Sequence, residues 1–228
     1  MPKYAMVIDL HSCVGCGACD IACKSENNVP DDMHWANHMV TTTGTFPNVR
    51  YQHIPTLCNH CERPACVGVC PTKAMHKTAD GIVKHDSNKC IGCLACQLAD
   101  PYKVIYFNKE QPHARFRDTN ELIPQVTMKP REVTFAMGVP IPYYNPERAK
   151  SGDGVRRTGI VEKCSFCDHR VAQGEKPWCT VACPAKCRYF GDMDDPKSEV
   201  SLLLAKHNFR VLARERGTVP KVFYIRDY

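Results

Sequence analysis

The residues with the strongest chemical signal are cysteines, 16 in a chain of 228 residues. All but Cys187 fall into four groups. The first is Cys13, Cys16, Cys19 and Cys23, spaced C-x2-C-x2-C-x3-C. The second is Cys58, Cys61, Cys66 and Cys70, spaced C-x2-C-x4-C-x3-C and followed by Pro71. The third is Cys90, Cys93 and Cys96, with Asp100 where a fourth cysteine is expected and Pro101 after it. The fourth is Cys164, Cys167, Cys179 and Cys183, followed by Pro184. Thiolates at such close spacing are ligands for soft metals.

The spacing selects among metals. Three cysteines at i, i+3 and i+6 on a turning loop reach three corners of one iron–sulfur cubane. A fourth, after three more residues, lies on the following helical turn and points away. In two-cluster ferredoxins it ligates the other cluster, and a proline follows it. Groups two and three form a self-contained pair of this kind. Groups one and four, distant in sequence, are then expected to pair as well. Site 1 is thus Cys13, Cys16, Cys19 and Cys183. Site 2 is Cys164, Cys167, Cys179 and Cys23. Site 3 is Cys58, Cys61, Cys66 and Asp100. Site 4 is Cys90, Cys93, Cys96 and Cys70. Two fused units of this type string their sites into a wire, with site 1 or 2 at one end and site 4 at the other.

Site 3 has two readings. In one, the cluster has three irons on Cys58, Cys61 and Cys66, and Asp100 is incidental. In the other, the Asp100 carboxylate ligates the fourth iron of a [4Fe-4S] cluster. The second is the expectation, because Asp100 keeps both the spacing from Cys96 and the following Pro101. A carboxylate is a harder ligand than a thiolate, so that iron should be the more exchangeable one. A zinc-binding structural module is the rival for the whole pattern. Group four alone could serve zinc, but the other groups carry a third cysteine too close for two separated C-x2-C pairs. Disulfides gain little from cross-linking such short loops.

The elements that must position these groups are short. Residues 4–10 (YAMVIDL) predict a strand leading into group one. Residues 24–57 read as an insertion rich in His, Thr and Asn with little periodicity. Residues 58–101 read as a contiguous ferredoxin-like unit, with a hairpin turn at Asp80-Gly81. Residues 102–159 read as a second insertion, extended and loop-like from its prolines (112, 124, 130, 140, 142, 146) and the run Ser151-Gly152-Asp153-Gly154. Residues 1–23 and 160–195 together make the split unit. Residues 196–228 predict a helix to about Asn208, with Val200, Leu203, Leu204 and His207 on one face, and a terminal strand over 221–227. The fold class is α+β: two fused two-cluster ferredoxin-like units, one split by the other, with loop-rich insertions. Gly15, Gly17 and Gly92 allow positive φ close to the sulfides.

Composition narrows the function. With 43% hydrophobic and 24% charged residues, the chain is globular. It contains no apolar run long enough to span a membrane, and the N-terminal residues read as neither a signal peptide nor a twin-arginine leader. The formal charge of +6 counts thiols as neutral. Thiolate-ligated clusters would cancel it, so the positive charge is poor evidence for nucleic-acid binding. No nucleophile–base constellation or phosphate loop is present, which points away from catalysis.

With those motifs laid out, the chain resembles the four-cluster electron-transfer subunits of the dimethyl sulfoxide reductase family of molybdopterin oxidoreductases. The resemblance is carried by MVIDLHSCVGCGACDIACKSEN, PTLCNHCERPACVGVCPTKAM, GIVKHDSNKCIGCLACQLADPY, EKCSFCDHRV and CTVACPAKCRYFGD. The segments TTTGTFPNVRYQHIPTLC and PKVFYIRDY are most similar to respiratory arsenate reductase small subunits. The resemblance implies a non-catalytic subunit whose site 1 faces a large molybdenum or tungsten bis-pterin catalytic partner. A membrane quinol-oxidising subunit or a cytochrome would serve the other end. It further implies a periplasmic complex, exported with a leader-bearing partner; a cytoplasmic complex is the alternative. A polyferredoxin-type conduit for a hydrogenase, formate dehydrogenase or flavin enzyme is the rival function.

Other residues carry weaker signals. Cys187 reads as a small buried thiol near site 1. His60 and His169 read as hydrogen-bond donors outside the ligand set or as solvated side chains. Lys24, Lys89 and Lys163 adjoin ligating cysteines and either tune potential or are solvated. Trp35 and Trp178 read as packing or interface residues.

Overall fold

The computed structural model describes residues 1–30, 32–109, 128, 130–138 and 156–227. In chain order it runs β1 (Tyr4–Asp9), α1 (Ala18–Asn27), β2 (Ala36–Thr45), β3 (Asn48–Leu57), α2 (Ala65–Gly68), β4 (Met75–Lys77), β5 (Val83–His85) and α3 (Ala95–Ala99). It continues with β6 (Tyr106–Phe107), α4 (Pro130–Met137), β7 (Val161–Glu162), α5 (Asp168–Val171), α6 (Trp178–Val181), β8 (Arg188–Asp192), α7 (Glu199–Lys206), β9 (Phe209–Arg210) and β10 (Val222–Ile225).

The principal sheet has the order β8-β1-β10-β9. Strand β1 is central, antiparallel to β8 and parallel to β10, with Met6 opposite both Phe190 and Val222. Because side chains alternate along a strand, the two faces of this sheet serve different purposes. Ala5, Val7, Phe223 and Ile225 pack with Val200 under α7. Met6, Ile8, Val222 and Tyr224 pack on the other side with Cys19, Cys23, Cys58, Cys164 and Cys179. The sheet is therefore a partition, with a helix on one face and a layer of thiols on the other. Its hydrogen bonds join the N-terminal strand to the strand that follows group four.

Helix α7 starts at its cap, Ser198, whose Oγ accepts from Ser201 N at 3.1 Å. It ends at Lys206, so Asp195-Pro196 lies in the approach to the helix and His207 is its C-cap. Strands β4 and β5 form the hairpin expected around Asp80-Gly81, with Met75 opposite His85.

Two segments differ from the sequence reading. Residues 36–57 form a long hairpin, β2 paired with β3 from Ala36↔Leu57 to Thr45↔Asn48. Its outer half is exposed on both faces, so no period-two pattern of apolar residues is required of it. Only its base, Ala36, Ile54 and Leu57, enters the core. In the second insertion, Pro130 is a loop signal by composition, yet it is the first residue of α4. A proline there loses no helical hydrogen bond. The run at 151–154 and the prolines at 112, 124, 140, 142 and 146 lie outside the described residues. No helix among the described residues is long and apolar enough to cross a membrane.

Candidate metal centres

Each cysteine group sits on a tight loop that feeds a short helix. In group one the loop turns through Gly15 and Gly17, at φ 67° and 74°, into α1. In group three Gly92 has φ 70°. A Cβ at Gly15 would collide with the His53 ring, and one at Gly92 with the Gly159 carbonyl oxygen. Both positions therefore need glycine for space as well as for conformation.

The thiols of Cys23, Cys164, Cys167 and Cys179 are neighbours, and all four are buried. Burial pushes the Cys23 thiol well above its ordinary value, and the charges of the other three would push it further. The Cys167 thiol is raised to about 12, again chiefly by burial. Asn27 is the polar partner here: its Nδ2 donates toward Cys167 Sγ at 3.4 Å and Cys23 Sγ at 3.7 Å. The Phe166 amide donates to Cys164 Sγ at 3.4 Å.

Around the expected site 3, one cavity is lined by Cys58, Cys61, Cys66 and Asp100, together with His60 and Tyr102. Burial raises Cys66 to about 12. The Tyr102 hydroxyl lies 3.6 Å from Cys61 Sγ and 2.6 Å from Thr218 Oγ1. Asp100 caps α3. Its Oδ1 accepts from Tyr102 N at 3.2 Å and its Oδ2 from Val104 N at 2.8 Å. Burial raises its pKa, and these backbone donors offset part of the rise. A carboxylate has about four lone-pair sites, so acceptor capacity remains beyond these two bonds.

Cys96 faces Cys90, Cys70 and Cys93, and burial lifts it to about 11. The Met75 amide donates to Cys70 Sγ at 3.4 Å. In the first group, Cys13 is held next to Cys187, whose Sγ lies 3.5 Å from Cys183 Sγ. The hydrogen bond between the two thiols lowers the Cys13 pKa and raises that of Cys187. Cys187 is buried, as expected of it. Cys16 lies exposed on the same loop as Cys13 and Cys19.

The cations are placed against these sulfurs. Arg188 is fully buried, and its Nη2 donates to Cys19 Sγ at 3.3 Å while Nη1 lies 3.9 Å from Met6 Sδ. Negative charge on Cys179 and Cys19 holds its pKa up against burial. Lys163 is buried, donating to the carbonyls of Val83 and Cys164. Lys24, by contrast, ties the Pro30 and Met33 carbonyls, and Lys89 is exposed beside Asp86. His169 pairs with Glu26 at 2.8 Å. Trp35 is buried with its Nε1 on Glu162, and Trp178 lies under the Arg170 guanidinium.

These observations fit clusters that carry net negative charge. A guanidinium buried among sulfur atoms needs anionic partners, and thiols pushed up by burial lose their protons on binding metal. Among the described residues, no three His, Cys, Asp or Glu side chains converge closely enough to hold a single metal ion. Spacing of the cysteines alone could not find Asn27, Tyr102 and Arg188, because each also depends on a contact with a distant segment. The local hints are positional: Asn27 lies one helical turn past Cys23, Tyr102 follows Asp100-Pro101 and Arg188 follows Cys187.

Comparison with known proteins agrees with the metal chemistry. The family described as "4Fe-4S dicluster domain" matches residues 49–138 and 141–193. The iron-sulfur subunit of the arsenate respiratory reductase of Shewanella sp. (strain ANA-3) is 48% identical, covering 99% of this chain and 97% of that protein. A polysulfide reductase component from Wolinella succinogenes is 33% identical over 98% of this chain and 94% of its own length. A tetrathionate reductase component from Salmonella typhimurium is 32% identical over 98% of this chain and 72% of its own length.

Proposed function

Because this chain belongs to the family of iron–sulfur subunits of molybdopterin oxidoreductases of the dimethyl sulfoxide reductase type, we propose that it is a non-catalytic conduit carrying electrons through four iron–sulfur clusters. The proposed ligands are Cys13, Cys16, Cys19 and Cys183 at site 1, and Cys164, Cys167, Cys179 and Cys23 at site 2. Site 3 takes Cys58, Cys61, Cys66 and Asp100, and site 4 takes Cys90, Cys93, Cys96 and Cys70. The bound clusters supply one-electron carriers; the protein supplies their spacing, their counter-charge and a dry path.

One observation carries the reading: thiols of each proposed site neighbour those of the next. Cys19 of site 1 and Cys179 of site 2 flank the same Arg188. Cys164 of site 2 lies near Cys58 of site 3. Cys66 of site 3 is on α2, and Cys70 of site 4 follows just beyond it. Exposed cysteines occur only in the first and last sites, as Cys16 and Cys93. A wire needs this arrangement, with insulated inner stations and a terminus open at each end.

The partner at the site 1 end is a large molybdenum or tungsten bis-pterin subunit in this reading. The 48% identity to the Shewanella subunit favours arsenate as that partner's substrate. The β2–β3 hairpin adjoins site 1, with His38 Nε2 3.7 Å from Cys19 Sγ, and it exposes Val40, Phe46, Val49 and Tyr51 beyond. We assign this arm to docking. A membrane quinol-oxidising subunit or a cytochrome serves site 4, and export with a leader-bearing partner gives a periplasmic complex. A partner gene without a twin-arginine leader would overturn the export reading. Purifying the chain with its bound proteins tests the whole: a pterin-containing partner is expected, and a stable, fully loaded monomer would count against it.

Site 3 gives a prediction of its own. The complex as isolated without air should lack the EPR signal of an oxidised three-iron cluster, and Asp100→Ala should acquire it. A near-stoichiometric three-iron signal in the unaltered complex would rule out Asp100 as ligand.

A further inference from the structure

The residue just before the second cysteine of each C-x2-C has positive φ in all four groups: Gly15 at 67°, His60 at 41°, Gly92 at 70° and Phe166 at 56°. Glycine adopts this conformation freely, but a bulky side chain does so only under strain. At this position groups two and four therefore bear strain that groups one and three avoid. The two strained side chains meet, with the His60 and Phe166 rings stacked at 3.7 Å and 25° between planes. Both are fully buried. The stack ties the site 3 loop to the site 2 loop.

The hydrogen bonding of His60 fixes its proton. Val83 N–H donates to Nδ1 at 3.1 Å. Nδ1 is therefore the acceptor, and the ring hydrogen sits on Nε2. Nε2 is buried and has no partner among the described residues. A buried N–H without an acceptor is costly and uncommon. His60 lines the same cavity as Cys58, Cys61, Cys66 and Asp100.

We propose that His60 donates a hydrogen bond from Nε2 to a sulfur of the cluster at site 3, and that Phe166 clamps the ring to aim it. This inference rests on the assignment of a cluster to site 3. Donation to cluster sulfur stabilises the reduced, more negative state and so raises the potential. His60 thereby makes site 3 a better electron acceptor than its thiolates alone would, in the interior of the wire.

The test uses the intact complex. With ¹⁵N-histidine labelling, pulsed EPR of site 3 in its paramagnetic state should show a ring-nitrogen coupling. That coupling should vanish in His60→Phe, which keeps an aromatic ring but has no donor. In a redox titration His60→Phe should lower the reduction equilibrium of site 3 about tenfold, equivalent to about 59 mV for one electron. Sites 1 and 4 should be unmoved, and His60→Gln, which restores an N–H, should recover part of the shift. Absence of the coupling in the unaltered complex overturns the proposal, as does an unshifted site 3 in a fully loaded His60→Phe. If that variant fails to load, the coupling in the unaltered complex decides. A complex with no iron at site 3 would instead refute the cluster assignment itself.

Discussion

Cys164→Ala is expected to cut electron transfer between the two ends of the chain by orders of magnitude while leaving the outer clusters in place. Its thiol belongs to the one set of four in which every cysteine is buried. In the proposed order of sites, that set stands between Cys19 on one side and Cys58 on the other. With no carrier there, the electron must cross the gap in one step, and tunnelling rates fall steeply with distance. The measurement is reduction at the site 4 end followed by oxidation through the partner, with EPR counting the clusters that remain. Rapid transfer through a complex that lacks only the site 2 signal would mean that the path does not run through this set.

Arg156→Met is expected to destabilise the chain by about 3–5 kcal/mol, the cost of leaving a buried charge unpaired. Arg156 and Glu162 have side chains only 3% and 1% exposed. The guanidinium bonds Glu162 Oε2 at 2.6 Å, the Asn27 carbonyl at 2.8 Å and the Asn28 carbonyl at 2.6 Å, and it lies 4.7 Å over the Trp35 ring. Glu162 also accepts from Trp35 Nε1 at 3.0 Å and Asn108 Nδ2 at 2.9 Å. This network links the end of α1, just past Cys23, to the strand that enters Cys164. Losing Arg156 should therefore loosen site 2 as well as the fold. Denaturation midpoints and the rate of iron loss to a chelator should both show it. Arg156→Met/Glu162→Gln removes the stranded charge and keeps an amide oxygen as acceptor for one of the two donors, Trp35 Nε1 and Asn108 Nδ2, so it should be less destabilised than the single variant. Equal losses in the two would mean that packing against Trp35, and not charge, is what Arg156 supplies.

The cysteine groups were legible because the geometry of a metal core imposes local spacing. Cys13, Cys16 and Cys19 keep the three-residue intervals expected of thiolates that share one core. Strands β1 and β10 were legible for a related reason, since each is a short apolar run buried on both faces. The β2–β3 hairpin was not, because its exposed arms have no core side to pattern. Arg156 and Arg188 were hidden for another reason. A buried arginine looks like any surface arginine until the fold brings Glu162, 6 residues away, or Cys19, 169 residues away, against it. His60 stood out by its place between Cys58 and Cys61, but its strained backbone and its stack on Phe166 appear only in three dimensions.

The central claim, a chain of four iron–sulfur clusters within one small subunit, is tested most directly by metal and sulfide analysis of the complex purified without air. The contribution of this subunit should be about 16 iron and 16 acid-labile sulfide per chain, four of each for a cubane at every site, once the partner's own metals are subtracted. Stoichiometric zinc with no labile sulfide, or iron sufficient for only two clusters, would contradict it.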